Sequence, residues 1–406
     1  MPELLSGVVV VELASWTYVP SAGVILRDWG ADVVKIEDTK GGDPCRYLTV
    51  GGLDPADSRV KANFMMEIGN HGKRSIAMDI KTAEGLEIFG KLIAKADVFL
   101  TNWLPGQLDR AGLSIEKIRS YNPDVIVARG SGQGPQGPDR DKGGFDGSSY
   151  TARAGVAAGL SPSNADFPFA QSPAFGDLQG GSTLAGGIAA ALFARERTGR
   201  PAVVDGSLLA QGMWAMAPDI SAADYHGIER IPPYAFGEAP NPAVNRYKTR
   251  DGRWVQLMFL QADRYWKGFC ERIGRPELGV DERFTPLANL TRNRDEATKI
   301  LREIFAERDL GEWQKILADE PGVWETIQTP EEVLDDPQAA ANGYLMSVSD
   351  QDGNIYRTVP APIQFDGATA SSARSPEHGE HTEEILSELG MSWDDIIAAK
   401  VSGAVL

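Results

Sequence analysis

Asp177 is the residue of this sequence whose type and setting best fit chemistry. It is the only charged residue between Asp166 and Arg195, and it precedes a run rich in Gly and Ala. Burying an isolated carboxylate costs free energy unless it has partners. Two roles fit: an N-cap, where backbone N–H groups would keep the carboxylate ionised, and a nucleophile that attacks an acyl group. These two roles are compatible, and the residues alone leave both open.

Three glycines accompany this aspartate, at positions 176, 180 and 181. Glycine lets a ligand approach the backbone closely, because it has no side chain. The N–H groups of Gly176, Gly180 and Gly181 could also stabilise an oxyanion. We therefore predict that these glycines support the chemistry of Asp177.

Other catalytic classes have less support in the sequence. There is no G-x-S-x-G motif for a serine nucleophile. Of the four histidines, only His378 and His381 are spaced like metal ligands, and they stand in a polar segment where solvated side chains are expected, so no metal is predicted. The two cysteines, Cys45 and Cys270, lie far apart and form no CxxC motif, which favours a reducing cytoplasm.

A glycine-rich segment raises the alternative of a dinucleotide site. Residues 132–137 read GQGPQG and match G-x-G-x-x-G after a predicted strand. The pyrophosphate site of that motif needs a helix N-terminus, whereas Pro135 and Pro138 flank this turn. A tight loop that lines a ligand site is the better prediction.

Length and charge bound the possible functions. A chain of 406 residues is too long for one ordinary core, so two domains are expected. The net charge of −17 and the lack of long basic blocks argue against a nucleic-acid or anionic-membrane surface. The N-terminal stretch lacks the features of a signal peptide, and the longest uncharged stretch, 178–194, is too polar for a membrane span.

Hydrophobic periodicity predicts the elements that would position Asp177. Strands and helices alternate through the first half of the chain, which predicts βαβ units, a parallel sheet and a Rossmann-like α/β fold. A smaller α+β region follows, and a short set of strands and helices ends the chain. The predicted strands are 7–13, 31–37, 75–79, 97–101, 124–130 and 202–207, with a hairpin at 247–260 and further strands within 343–364; the predicted helices are 21–29, 82–96, 113–121, 180–197, 208–223, 263–273, 292–306, 310–318, 330–335 and 380–389.

An ordered set of segments, from about residue 4 to 390, resembles one family. The set includes WGADVVKIE, NHGKRSIAMDIKTAEG, NPDVIVARGSGQGPQGP, FGDLQGG and TPEEVLDDPQ. It is similar to the class III CoA-transferases of the CaiB/BaiF type, such as formyl-CoA transferase. The resemblance implies a large Rossmann-like, CoA-binding domain formed by residues 1–225 and 329–406, with a small α+β domain at 226–328. It also implies an interlocked homodimer.

The resemblance assigns the nucleophile to Asp177. It implies that CoA passes from an acyl-CoA thioester to a free carboxylic acid through aspartyl anhydride and aspartyl-CoA intermediates. Acyl-CoA and the acid would be the partners, with no permanently bound cofactor and no ATP. The family's CoA contacts correspond to Thr17, Tyr18, Met78, Asp79, Ile80, Lys81, Asn102, Trp103, Leu104, Arg110, Gly143, Gly144, Phe145 and Asp146. Trp103 could instead be a core residue, and Arg110 a surface helix residue.

The sequence departs from formyl-CoA transferase at two places. Asp38 stands where that enzyme has a basic residue near the adenine, so the contact is lost or supplied by Lys40. The Pro-rich segment 231–243 replaces a glycine-rich loop that closes over the site. We therefore expect a larger acyl group than formate or oxalate. Candidate acyl-pocket residues, each also compatible with a core position, are Trp16, Tyr18, Tyr234, Phe236 and Met213.

Two further functions remain as alternatives. The related 2-methylacyl-CoA racemases use a histidine in a Gly-His-Asp stretch, and here Gly144-Phe145-Asp146 has phenylalanine, which cannot accept a proton. A CoA-binding protein without catalysis is the third possibility. The sequence specifies neither the donor and acceptor acids nor whether transfer is intermolecular.

Overall fold

The computed structural model describes residues 4–231 and 239–406, which form two compact units. The first unit contains residues 4–158, 169–225 and 337–406, and the second contains residues 159–168, 226–231 and 239–336. The second unit thus includes residues 159–168 and continues to Asp336, beyond the predicted end at 328. The predicted domain boundaries themselves stay a prediction.

Six parallel strands form the sheet of the first unit, in the order β3-β2-β1-β4-β5-β6. Their runs of Val and Ile are typical of strands buried on both faces. The order reverses between β1 and β4, and ligands of such sheets bind beyond the carboxyl ends of the strands at that point. The predicted α/β, Rossmann-like class is confirmed. The strands are β1 (Val9–Leu13), β2 (Asp32–Glu37), β3 (Arg74–Ala77), β4 (Val98–Thr101), β5 (Ile126–Ser131) and β6 (Val203–Ser207).

Helices cover both faces of this sheet. The helices of this part of the chain are α1 (Tyr18–Asp28), α2 (Phe64–Asn70), α3 (Ala83–Lys95), α4 (Pro105–Arg110), α5 (Ile115–Tyr121), α6 (Val156–Leu160), α7 (Phe175–Thr198), α8 (Leu208–Ala215) and α9 (Ala217–His226), with a short π-helix at Asp146–Arg153. Helices α1 and α7 pack on one face, and α3 and α5 on the other. The single helix predicted at 208–223 is wrong, because the chain breaks at Met216 into α8 and α9.

The second unit has an antiparallel sheet and its own apolar core. The predicted hairpin is present, with the Thr249 N–H donating to the Arg253 carbonyl across the turn at 2.8 Å. Trp313, Phe259 and Phe269 are fully buried in this core. The elements are β7 (Arg246–Lys248), β8 (Trp254–Leu257), β9 (Trp324–Thr326), α10 (Ala262–Arg272), α11 (Leu287–Arg292), α12 (Arg294–Phe305), α13 (Leu310–Leu317) and α14 (Pro330–Val333).

The last segment of the chain returns to the first unit. Ile385, Leu386 and Ile396 belong to the same apolar core as β3 and α3. The His381 N–H donates to the Ser75 carbonyl at 2.9 Å, and Arg74 pairs with Glu388 at 2.9 Å. Its elements are β10 (Met346–Ser349), β11 (Ile355–Thr358), α15 (Pro337–Ala341), α16 (Thr382–Glu388) and α17 (Trp393–Ser402). Within residues 4–231 and 239–406, no helix is both long and apolar enough to cross a membrane.

Candidate active site

A cavity of about 310 Å³ opens at the carboxyl ends of β1, β4 and β5, beside the reversal of strand order. This is the position at which doubly wound sheets bind their ligands. Asp177 reaches the same cavity from α7, and six separate segments of the chain meet there. The lining residues are Ser15, Trp16, Tyr18, Asn102, Trp103, Leu104, Gln107, Gly130, Ser131, Gly132, Gly143, Gly144, Phe145, Asp177 and Leu208.

Asp177 is the third residue of α7 and not its N-cap. The N-cap position belongs to Ala174, whose φ is +59°. The capping role considered for Asp177 is therefore wrong, because the helix begins two residues before it. The carboxylate is half-buried and lines the cavity, which is the position that a nucleophile needs.

Asp146, and not Asp177, accepts a backbone N–H of the first turn of α7. Its Oδ2 accepts the Gly176 N–H at 3.0 Å. Burial raises the pKa of Asp146, and the backbone N–H groups of Gly176, Asp177 and Phe175 act in the opposite direction. The Gly176 N–H is one of the backbone donors that the first turn of a helix leaves without a partner inside the helix. Asp146 is buried and is not among the residues that line the cavity. It thus holds the first turn of α7 from behind the cavity wall.

The pKa of Asp177 is raised to about 7, first by burial and second by the negative charge of Asp146. The prediction that a helix N-terminus would keep Asp177 ionised holds only in part, because a pKa of about 7 leaves a substantial neutral fraction near neutral pH. Two other titratable groups lie near Asp177. Burial raises the pKa of the Tyr18 hydroxyl above its ordinary value, and it raises the pKa of the Cys45 thiol to about 11. Both are neutral near pH 7, so Asp146 is the charged neighbour of Asp177.

The three glycines near Asp177 permit close packing. A Cβ at Gly176 would lie 2.3 Å from the Tyr150 ring, and one at Gly180 would lie 2.6 Å from the Tyr18 ring. A Cβ at Gly181 would lie 1.9 Å from Ser21 Oγ on α1. The Gly176 N–H already donates to Asp146. The oxyanion role of these glycines stays a prediction, whereas their packing role is direct.

Seven of the predicted CoA contacts line the cavity: Tyr18, Asn102, Trp103, Leu104, Gly143, Gly144 and Phe145. The Asn102 side chain fixes the turn after β1, since it donates to the Ser15 carbonyl at 2.6 Å and accepts the Ser15 N–H at 3.3 Å. Trp103 both lines the cavity and packs against the core, so the two interpretations of this residue are compatible.

The other predicted contacts lie outside the cavity lining. The backbone of Met78 and Asp79 pairs with Ala404 and Val405, and Ile80 and Lys81 follow directly. Arg110 is exposed at the end of α4, as expected for a surface helix residue. Thr17 is buried beside Cys45. Their contacts with CoA stay predictions.

The positions that depart from the family pattern have defined places. Asp38 is exposed, and its carboxylate accepts the Lys40 N–H at 2.9 Å. Met213 is exposed on α8 and does not line the cavity, whereas Trp16 and Tyr18 do. Two candidate acyl-pocket residues, Tyr234 and Phe236, lie outside the described residues.

Sequence reasoning missed several lining residues. The missed residues are Ser131, which ends β5, Gln107 on α4 and Leu208, which begins α8; Gly132, in contrast, starts the loop that was predicted to line a ligand site, and it does line the cavity. Their position in the sequence could have identified them, because residues at the carboxyl ends of parallel strands share one edge of the sheet. The segment 132–137 is a loop with no helix directly after it, as predicted when the dinucleotide motif was set aside. In the part of the chain that the structure describes, no group of three His, Cys, Asp or Glu side chains is arranged to hold a metal.

Comparison with known proteins gives consistent matches over nearly the whole chain. Residues 5–382 match the model of CoA-transferase family III. The chain is 34% identical to "(R)-2-hydroxy-4-methylpentanoate CoA-transferase" of Clostridioides difficile, covering 99% of both chains. It is 33% identical to "Cinnamoyl-CoA:phenyllactate CoA-transferase" of Clostridium sporogenes, covering 97% of this chain and 95% of that one. A crystal structure of a CAIB/BAIF family protein from Brucella suis superposes with a TM-score of 0.81 at 28% identity, covering 95% of this chain and 99% of that one.

Proposed function

The chain belongs to CoA-transferase family III and is an enzyme of that class, and from this premise we propose that Asp177 carries coenzyme A from an acyl-CoA thioester to a carboxylic acid. One observation carries the assignment. Asp177 lies at the cavity where β1, β4 and β5 end, with a pKa raised to about 7. A carboxylate in such surroundings is poorly solvated and therefore a better nucleophile than one in water.

The proposed reaction has four balanced steps. The Asp177 carboxylate attacks the thioester carbonyl. This step expels CoA as a thiolate and forms a mixed anhydride between Asp177 and the acyl group. The thiolate then attacks the aspartyl carbonyl, which releases the donor acid and leaves an aspartyl-CoA thioester. The acceptor carboxylate displaces CoA to form a second anhydride. The thiolate attacks the carbonyl carbon that came from the acceptor acid. This step yields the new acyl-CoA and restores the Asp177 carboxylate.

We propose that the enzyme acts as a homodimer in the cytoplasm on free acyl-CoA and acid, with no permanently bound cofactor. Large apolar side chains are exposed on α7, α8 and α9, including Phe193, Trp214 and Tyr225, and such clusters mark interaction surfaces. Cys45 and Cys270 are both buried and unpaired, which suits a reducing compartment.

The proposed acid is larger than formate or oxalate. The segment 231–243 differs from the loop of formyl-CoA transferase, and two relatives carry names with 2-hydroxy-4-methylpentanoate, cinnamoyl-CoA and phenyllactate. Racemisation is the less favoured function, because Phe145 occupies the place of the proton-accepting histidine.

Chemical trapping tests the proposed role of Asp177. The protein is incubated with a panel of acyl-CoA thioesters, treated with hydroxylamine or borohydride, and mapped by mass spectrometry. We expect modification of Asp177, and we expect Asp177→Ala to lower CoA exchange by at least about 1,000-fold while CoA affinity changes little. The exposed carboxylate Asp166 provides a matched control, since Asp166→Ala should retain exchange.

Two outcomes would overturn this proposal. One is substantial exchange by Asp177→Ala. The other is deuterium uptake at the α-carbon of a bound acyl-CoA with no trapped aspartate, which would support the racemase alternative.

A further inference from the structure

Trp16 has a backbone conformation that tryptophan rarely adopts. Its φ is +69°, and among the described residues only two other non-glycine positions, Ala174 and Asp366, have positive φ. This left-handed region is unfavourable for a bulky side chain, and it persists where surrounding contacts impose it. Trp16 also lines the cavity that contains Asp177. The conformation therefore fixes where an indole ring stands in the candidate active site.

A buried carboxylate holds this conformation. Asp43 is 1% exposed, and its Oδ1 accepts the Trp16 N–H at 3.0 Å and the Cys45 N–H at 2.9 Å. On the other side of the same turn, Asn102 bonds both the N–H and the carbonyl of Ser15. The turn after β1 is thus clamped at two consecutive residues.

Asp43 is held in turn by a buried ammonium group. Lys35 Nζ lies 2.8 Å from Asp43 Oδ2, 3.2 Å from Glu12 Oε1 and 2.7 Å from the Ala14 carbonyl. Burial alone would lower the pKa of Lys35, but Asp43 and Glu12 outweigh it and keep the ammonium charged. Lys73 adds a second cation, 2.7 Å from Glu12. Because a buried charge is costly without its partner, this network fixes the Asp43 carboxylate in one orientation.

The Trp16 ring meets Phe145 at the cavity. The two rings are edge-to-face, with centroids 5.6 Å apart and an interplanar angle of 84°. Phe145 is 59% exposed, and its backbone is fixed because its carbonyl accepts the N–H groups of Ser148 and Ser149. Two aromatic side chains thus form one wall of the cavity that Asp177 also lines.

The described lining of the cavity offers no cation to match a second carboxylate. Among the residues described as lining it, none is Lys, Arg or His. The free carboxylate of an acyl group such as succinyl would lose solvation there without gaining an ion pair. An apolar acyl group, in contrast, gains free energy from leaving water.

We propose that Trp16 and Phe145 select an acyl group with an apolar branched or aromatic side chain, and that Asp43 is the positioning residue that holds Trp16 for this task. The inference rests on the proposed CoA transfer, since it assigns the side chain of the acid to one wall of that site.

Isotope exchange between each acyl-CoA and its own carbon-labelled acid tests the inference, because donor and acceptor then carry the same side chain. The probes are the propionyl, succinyl, 4-methylpentanoyl and 3-phenylpropionyl thioesters. For the wild type we expect kcat/KM to favour the last two by about 10- to 100-fold. Trp16→Ala and Phe145→Ala should each reduce that preference about tenfold, and Trp16→Phe should retain most of it. Trp393→Ala, which removes an exposed tryptophan from α17, should leave the preference unchanged.

A double-mutant cycle tests the positioning role. Asp43→Asn should reduce the same preference, because an amide cannot form the ion pair with Lys35 that orients the acceptor of the Trp16 N–H. It should have no further effect in Trp16→Gly, where glycine adopts the positive φ without support. In Asp43→Asn, Lys35 keeps Glu12 and the Ala14 carbonyl as partners. If that variant fails to fold, Asp43→Ala, which removes the acceptor for the Trp16 N–H, takes its place.

Each failure has a distinct signature. Exchange of all four acyl groups at similar rates, or equal losses for all of them in the Trp16 and Phe145 variants, would overturn the inference and leave the proposed function intact. If adding Asp43→Asn to Trp16→Gly reduced the acyl-group preference further, Asp43 would be merely structural. No exchange with any probe and no adduct on Asp177 would overturn the proposed function itself.

Discussion

At the scale of the residue, the raised pKa of Asp177 has two causes, burial and one charged neighbour. Asp146 orders the first turn of α7 by accepting the Gly176 N–H, and its charge disfavours the ionised form of Asp177. Burial acts in the same direction and is the larger cause. The identity of Asp177 was predictable, because it is an isolated charge among small and apolar residues. Its pKa was not, because Asp146 lies 31 positions earlier and nothing in the sequence brings the two together.

These electrostatics predict an acid limb in the pH profile of CoA exchange. In the proposed reaction Asp177 acts as a carboxylate, so kcat/KM should rise with pH through about 7, and at pH 6 it should be about a tenth of its plateau. Asp146→Asn removes the like charge while keeping an acceptor for the Gly176 N–H, so the midpoint should move to lower pH. Initial rates between pH 5 and 9 measure both profiles. An unchanged midpoint in Asp146→Asn would show that burial alone raises the pKa.

At the scale of the element, the first turn of α7 carries Asp177, and its glycines pack closely against neighbouring side chains. The long helix was predicted to begin at Gly180, and it begins at Phe175. Glycine has a low helix propensity, so Gly176, Gly180 and Gly181 weakened the sequence signal for the first turn of α7. What the sequence could not reveal is that these glycines face α1 and Tyr150. Helix α17 was also missed, although Ser392 and Asp395 form a capping box.

Glycine substitutions along α7 should therefore have opposite effects. Gly181→Ala places a methyl group against Ser21 and the Ala22 N–H, 3.0 Å away, and should destabilise the fold by roughly 1–3 kcal/mol. Gly186→Ala is the matched control in the same helix, because nothing lies within 4 Å of its Cβ, and it should stabilise by up to about 1 kcal/mol. Thermal and urea unfolding measure both. Equal effects from the two substitutions would contradict the close packing of α7 on α1.

At the scale of the whole molecule, the sheet was predictable and the connections between distant segments were not. Runs of Val and Ile, separated by helical periodicity, are a strong signal for parallel strands, and all six were predicted to within a few residues. The cavity joins segments near residues 16, 103, 131, 144 and 177, and periodicity carries no information on which segments meet. The Lys35–Asp43 support of Trp16 was missed for the same reason.

The exposed apolar residues of α7 to α9 predict an oligomer. The protein should have a mass near twice 43.8 kDa by light scattering, and Trp214→Glu together with Phe193→Glu should shift it towards the monomer. The control, Val401→Glu on α17, changes an equally exposed apolar residue in another helix and should leave the mass unchanged. A wild-type monomer at micromolar concentration would contradict the homodimer.

The return of residues 375–406 to the first unit has a consequence for synthesis on the ribosome. Arg74 and Ser75 find Glu388 and His381 only after some 300 further residues have been translated. At about 5–20 residues per second, β3 and α3 then wait for roughly 15–60 seconds with one apolar face uncovered. During that interval the second unit can fold by itself, because its core is made without the last segment. The nascent first unit is therefore a natural client for chaperones that shield apolar surface until the final helices emerge.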